Sequence, residues 1–153
     1  MDIDRSLIGT STEAFIVEVE KGAIRRFAEA IEDRNPLFHD EAFAKARGFA
    51  SLVAPPTFAT TFRLSERPLW MHGLDDARIL AGEQSFRHAR PLVAGDVLEC
   101  RVHFVRVDER TGRSGMLEFI VQEMRAIDAD GERVVTNGRT VVYRSPGILK
   151  SKS

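Results

Sequence analysis

Leu98-Glu99-Cys100-Arg101-Val102-His103-Phe104 alternates apolar and polar side chains without a break. That period of two is the mark of a strand with one face buried. A glycine-bearing turn follows, Thr111-Gly112-Arg113-Ser114-Gly115. Beyond it Leu117, Phe119 and Val121 alternate with Glu118, Ile120 and Gln122. Asp128-Ala129-Asp130-Gly131 supplies a second turn, its Asp and Gly types typical of a hairpin. Val134, Val135, Val141, Val142 and Tyr143 make a last β-rich stretch. Three long strands joined by two tight turns form an antiparallel meander, and the period-two pattern already begins near Ile79.

The residues before Ile79 read differently. Phe15, Val17 and Val19 suggest a short strand. Ile24, Phe27, Ala28 and Ile31 then recur at helical spacing, one apolar face of a helix. That helix must stop before Pro36, because the residue preceding a proline avoids the α region. Asp40 is a candidate N-cap for a short helix from Glu41 to Arg47, with Gly48 as its stop. Pro55-Pro56 opens an apolar segment, Thr57 to Leu64, that reads as a third helix, since proline is tolerated in a first turn. Helices followed by a strand meander give an α+β fold, with the helices on one face of the sheet. The segment after Pro56 is the candidate central helix around which the long sheet wraps.

The chain has 153 residues, enough for one domain with its own core, expected over residues 1–145. Residues 146–153 form a short linker-like tail expected to fray. Lys and Arg number 22 against 23 Asp and Glu, so no global charge points to nucleic acid. A single cysteine, Cys100, rules out an internal disulfide framework and any metal site needing several cysteines. Its alternating neighbours make it a buried strand residue. A reducing cytoplasm is the simple inference. Met1-Asp2-Ile3-Asp4-Arg5 lacks the apolar run of a signal peptide, and no apolar stretch approaches the roughly 18 residues of a membrane span.

Two further stretches carry a resemblance. The first is Asp33-Arg34-Asn35-Pro36-Leu37-Phe38-His39-Asp40, continuing through Gly48-Phe49 to Val53-Ala54-Pro55-Pro56-Thr57-Phe58. The second is Gly82-Glu83-Gln84-Ser85-Phe86-Arg87-His88-Ala89-Arg90-Pro91-Leu92-Val93-Ala94-Gly95-Asp96. Over roughly residues 5 to 145 the chain resembles the MaoC-like hydratases and dehydratases, and among them the FAS1-like dehydratase branch. The family motif is Gly-Asp-any-Asn-Pro-aliphatic-His. The branch typically shows Asn-Pro-Leu-Tyr-His-Asp and Ala-Pro-Pro-Thr-Phe. The resemblance implies a hot-dog fold, a long antiparallel sheet wrapped around a central helix. It also implies reversible addition of water across the 2,3 double bond of an enoyl thioester. A carboxylate and an imidazole would activate the water, and a backbone N–H at the start of the central helix would stabilise the enolate oxygen.

Two positions depart from that pattern. Aligning Asn35-Pro36 with the motif puts Asp33 on the catalytic Asp, but Phe38 on the catalytic His, with His39 one residue late. Neighbours in an extended loop point to different sides. Active members carry Ala-His-Gly where this chain has Ala54-Pro55-Pro56, and Pro56 has no N–H to offer an oxyanion; Thr57 has the nearest one. The candidate catalytic pair is therefore Asp33 and His39, with Asn35, Pro56 and Thr57 bordering substrate. Arg87, Arg90 and Arg101 are candidates for gripping coenzyme A phosphates. The plainer readings stand beside these: Asp33 and Asn35 as loop-forming residues, His39 as an exposed first-turn residue, the arginines as solvated strand charges. His88 and His103 read as paired or solvated surface residues in strand-like stretches, and His72 lies in an unassigned loop.

Three functions follow. The chain is a hydratase or dehydratase acting as a homodimer, of the (R)-specific enoyl-CoA hydratase or 3-hydroxyacyl-thioester dehydratase type. Alternatively it is a non-catalytic hot-dog subunit paired with an active MaoC-like sister chain. The third reading is a hot-dog thioesterase or acyl-CoA binder. No metal or cofactor is expected; coenzyme A or an acyl-carrier arm enters only as part of the substrate. Neither nucleic acid nor membrane is an expected partner.

Overall fold

The structure is a computed structural model that describes residues 3–112 and 115–145. The apex of the first expected turn, 113–114, and the expected tail, 146–153, lie outside them. The elements are β1 (Phe15–Glu18), α1 (Lys21–Ala30), α2 (Glu41–Ala46), β2 (Ile79–His88), β3 (Val97–Gly112), β4 (Gly115–Ile127) and β5 (Arg133–Arg144). The strands form one antiparallel sheet in the order β1-β3-β4-β5-β2. β3, β4 and β5 are the expected meander. β1 and β2 occupy the two edges, so the chain between them crosses the whole sheet and covers one face of it. This is the α+β, hot-dog arrangement.

The alternation in β3 does what it predicts: Leu98, Cys100 and Phe104 are buried on the covered face. A bulge between Phe104 and Arg106 then shifts the phase, placing Val107 opposite Ile120. In β4 the buried set is Glu118, Ile120, Gln122, Met124 and Ala126, not the more apolar set of Leu117, Phe119 and Val121. Both sets contain large apolar residues, so composition alone does not choose the face. Hairpin register does, through the pairs Met124↔Val102 and Ala126↔Cys100. A second irregularity lies at Gly82, between Ala81 and Glu83 on β2. A Cβ there would meet the Thr140 carbonyl oxygen at 2.9 Å, which only glycine avoids.

α1 buries Ile24 and Ala28, and its Phe27 meets Phe58 edge to face with ring centroids 5.6 Å apart. Ile31, expected on this face, is instead the exposed C-cap. Asp40 caps α2 by accepting the Phe43 N–H at 3.0 Å, and Gly48 follows with φ of 92°.

The expected central helix from Thr57 to Leu64 is not formed. One 3-10 turn, Phe58–Thr61, stands in its place. Adjacent β-branched threonines disfavour helix, and the Thr61 hydroxyl donates to the Phe58 carbonyl at 2.8 Å, competing with helical bonding. The sheet therefore wraps α1 and this turn rather than one long helix. Two apolar clusters result. One gathers α1, Leu52, Phe58, Leu98 and Val135. The other gathers Trp70, Leu74, Phe104, Ile120 and Tyr143, with Trp70 stacked on Phe104 at 5.1 Å.

Candidate functional site

The loop from Asp33 to Asp40 is shaped by two successive side-chain-to-backbone bonds. The Asp33 carboxylate accepts the Asn35 N–H at 3.0 Å, and the Asn35 side-chain oxygen accepts the Leu37 N–H at 3.1 Å. Pro36 then starts a 3-10 turn, Pro36–Phe38. Phe38 is 5% exposed and packs in the core with Leu52 and Phe58. His39 lies on the other side of the loop, half-buried, with Nε2 2.8 Å from the main-chain oxygen of Asp33. A carbonyl only accepts, so Nε2 is the donor. Asp33 and His39 also border one shallow cleft beside the end of α1.

Three stretches far apart in sequence meet here. The Val53 N–H donates to the Leu37 carbonyl at 3.0 Å, and the Ala54 N–H donates to the Leu92 carbonyl at 2.8 Å. The Ala94 N–H returns to the Leu52 carbonyl at 2.8 Å. The Asn-Pro loop, the Pro-Pro segment and the Gly-Asp turn are thus laced together through backbone bonds. Gly95, with φ of 98°, makes that last turn possible.

Pro56 and Thr57 are exposed at the mouth of the 3-10 turn. His88 reaches them: its Nε2 is 2.8 Å from the Pro56 carbonyl oxygen, and its Nδ1 is buried without a partner. His88 is thus a paired strand histidine, one of the two outcomes expected of it. A signal was present, because Gln84, Phe86 and His88 share one phase of β2. Arg87 points to the opposite face, exposed and paired in register with Thr136, away from Thr57. Arg90 is not a free phosphate clamp. Its guanidinium donates to both Asp96 oxygens at 2.8 and 3.0 Å and approaches Asp128 at 3.7 Å. The Asp96 contact, more than Asp128, raises its pKa further. Arg101 lies 3.5 Å from Glu99.

The other titratable candidates have structural surroundings. Burial pushes the Cys100 thiol up to about 12, with Glu99 adding to the shift. Burial, and then Arg125, lower the pKa of His103. His72 donates from Nε2 to the Arg67 carbonyl at 2.8 Å. Among the described residues no three His, Cys, Asp or Glu side chains converge as metal ligands.

One feature escaped the sequence reading. Between the two apolar clusters a cleft of about 350 Å³ runs under residues 60–68 and over the sheet. Its floor is a belt of amides. Gln84 donates to Asn137 Oδ1 at 3.1 Å and exchanges contacts with the Thr60 hydroxyl, while Asn137 donates to the Ala59 carbonyl at 3.3 Å. Gln122 Oε1 accepts the Trp70 indole N–H at 3.1 Å. Phe62, Val102 and Met124 complete the apolar part of the lining.

Residues 6–137 match the FAS1-like dehydratase domain region. The chain belongs to this family. Its curated relatives include the UPF0336 protein of Saccharopolyspora erythraea, 40% identical, covering 94% of this chain and 93% of that protein. A UPF0336 protein of Streptomyces griseus subsp. griseus is also 40% identical, over 95% of this chain and 97% of that one. Among solved structures, the FAS1-like chain is similar to one in the HadBC (3R-hydroxyacyl-ACP dehydratase) complex of Mycobacterium tuberculosis. The TM-score is 0.72 and the identity 25%, covering 93% of this chain and 99% of that one. It is also similar to a MaoC-like dehydratase, with a TM-score of 0.81 and 27% identity, covering 92% of this chain and 43% of that one. No described helix of the FAS1-like chain is long and apolar enough to cross a membrane.

Proposed function

We propose that this chain works in the reversible hydration of 2,3-enoyl thioesters, as the non-catalytic half of a two-chain hydratase or dehydratase. One observation carries the reading. The position of the family's imidazole holds Phe38, which is 5% exposed in the core, and a phenyl ring cannot move a proton. Two others agree with it. His39 is engaged with a backbone carbonyl rather than with the Asp33 carboxylate. Pro56 lacks the N–H that would meet a developing enolate oxygen.

The sister chain would carry Gly-Asp-any-Asn-Pro-aliphatic-His and supply the acid–base pair. β2 is the edge at which the two would join. It runs ten residues, its other side is unpaired among the described residues, and Leu80 on it is 51% exposed. Such an edge asks for a partner strand. The similar HadBC structure is that of a 3R-hydroxyacyl-ACP dehydratase complex, which supports a partner chain. The acyl-thioester would lie between Thr57 and the cleft above the amide belt.

A homodimeric enzyme is the second reading, favoured by one fact: Asp33 and His39 border the same cleft. Hydration of crotonyl-CoA separates the two. Turnover is expected only when the chain is combined with an active sister. Robust turnover by the chain alone selects the homodimer. Hydrolysis of the thioester without hydration selects a thioesterase instead.

A further inference from the structure

Gln122 and Arg139 are directly paired across β4 and β5, and both line the cleft between the two apolar clusters. Directly opposed residues on one face of an antiparallel pair hold their Cβ atoms about 5 Å apart. Gln84 stands on the other side of Arg139 in the same row. Gln122 is 8% exposed, and its one hydrogen bond uses the amide oxygen, which accepts from Trp70. Its amide nitrogen has no protein partner among the described residues. Arg139 has no ion pair or hydrogen bond among them either, while Arg67 at the rim is paired with Asp76 at 2.7 Å. Glu66 also lines the cleft, exposed and without an ion pair among the described residues.

The two unengaged groups on the sheet floor, Gln122 and Arg139, are pure donors, for neither a guanidinium nor an amide NH2 can accept a hydrogen bond; Glu66 stands at the exposed rim. The rest of the belt is internally satisfied, Gln84 with Thr60 and Asn137. A plain alkyl chain laid over this floor would strip water from Gln122 and Arg139 and return nothing, which disfavours it. An oxygen anion there would collect charge-assisted hydrogen bonds from both. The row lies four residues from His88 along β2, about 13 Å at strand spacing, so it faces the far part of a ligand held near Pro56 and not its thioester.

We propose that this cleft selects acyl chains that carry a distal carboxylate, read by Arg139 and Gln122. The inference rests on the acyl-thioester reading above and narrows its substrate class. The test is calorimetric titration of the full chain with two matched pairs, octanoyl-CoA against suberyl-CoA and dodecanoyl-CoA against dodecanedioyl-CoA. In at least one pair the ω-carboxy ligand should bind roughly tenfold tighter, the scale of one charge-assisted contact. Arg139→Gln, on an exposed side chain, should abolish that preference by weakening the ω-carboxy ligand. Gln122→Leu should weaken the preference and tighten the plain ligand. Equal binding within both pairs overturns the carboxylate site but leaves the acyl-thioester reading standing. A preference that survives Arg139→Gln also overturns it. Binding of no acyl-CoA sinks both.

Discussion

His39 Nε2 lies 2.8 Å from the main-chain oxygen of Asp33, while the Asp33 carboxylate accepts the Asn35 N–H at 3.0 Å. The imidazole and the carboxylate thus serve the loop separately. His39→Ala should cost about 1 kcal/mol of stability, the worth of one hydrogen bond. It should change hydration by the assembled complex less than about threefold, against the hundredfold or more lost with a true acid–base group. Urea unfolding and a crotonyl-CoA assay read the two numbers.

Phe38→His restores the spacing of the motif but sets a polar ring in the core. We expect about 2–4 kcal/mol of destabilisation, from lost apolar packing and an imidazole without a partner. Activity of the chain alone should recover little, because Pro56 still blocks the oxyanion donor. Phe38→His with Pro56→Gly should recover more. If the single change restores full turnover, the role given to Pro56 is wrong.

Edge pairing through β2 is open to a charge test. In a homodimer, arginines replacing both Leu80 and Ser85 would set like charges along a shared antiparallel ladder, which is unfavourable. The association constant from sedimentation should fall at least roughly tenfold, and pairing with a sister strand should weaken as well. Unchanged association would place the interface elsewhere.

Lys21, then Lys45, hold the Glu41 carboxyl down from 4.5 to about 2. Because the folded pKa is the lower one, the stabilisation is present above the unfolded value and fades as pH falls through the folded one. Wild type should therefore melt above Glu41→Gln at pH 7, the difference shrinking from about pH 4.5 downward and vanishing near pH 2. Added salt should reduce the gap, since the pair is open to solvent and Lys21 and Lys45 are themselves about half exposed. Thermal melts across this range, at low and high salt, check both statements.

Cys100 has no accessible surface, and burial lifts its thiol to about 12. Thiolate is the reactive form. Modification by a thiol reagent at pH 8 should be absent on the timescale of minutes in native protein and immediate in denaturant. Rapid labelling of folded protein would contradict the burial.

The strands, α1, the Asp40 cap and the family were legible in the residues, because each rests on near-neighbour patterns. Periods of two and of 3.6, a capping side chain, and a glycine after a helix are all written within a few positions. The departures at Phe38 and Pro56 were readable for the same reason. The helix expected after Pro56 failed on a local contest that apolar content concealed, between Thr60-Thr61 and the backbone.

What the chain could not announce in one dimension is which face of β4 is buried, and what meets across the sheet. Leu117, Phe119 and Val121 are the more apolar set, yet hairpin register turned Glu118, Ile120 and Gln122 inward. A one-residue change of phase exchanges every side chain between faces. That choice made Gln122 a neighbour of Arg139 and Trp70, and the same sheet brought His88 to Pro56. The alternating strands and the Asn-Pro and Pro-Pro motifs belong to the sequence alone. The amide belt belongs to the tertiary structure, because residues 84, 122 and 137 become one surface only after three strands have paired in a particular register.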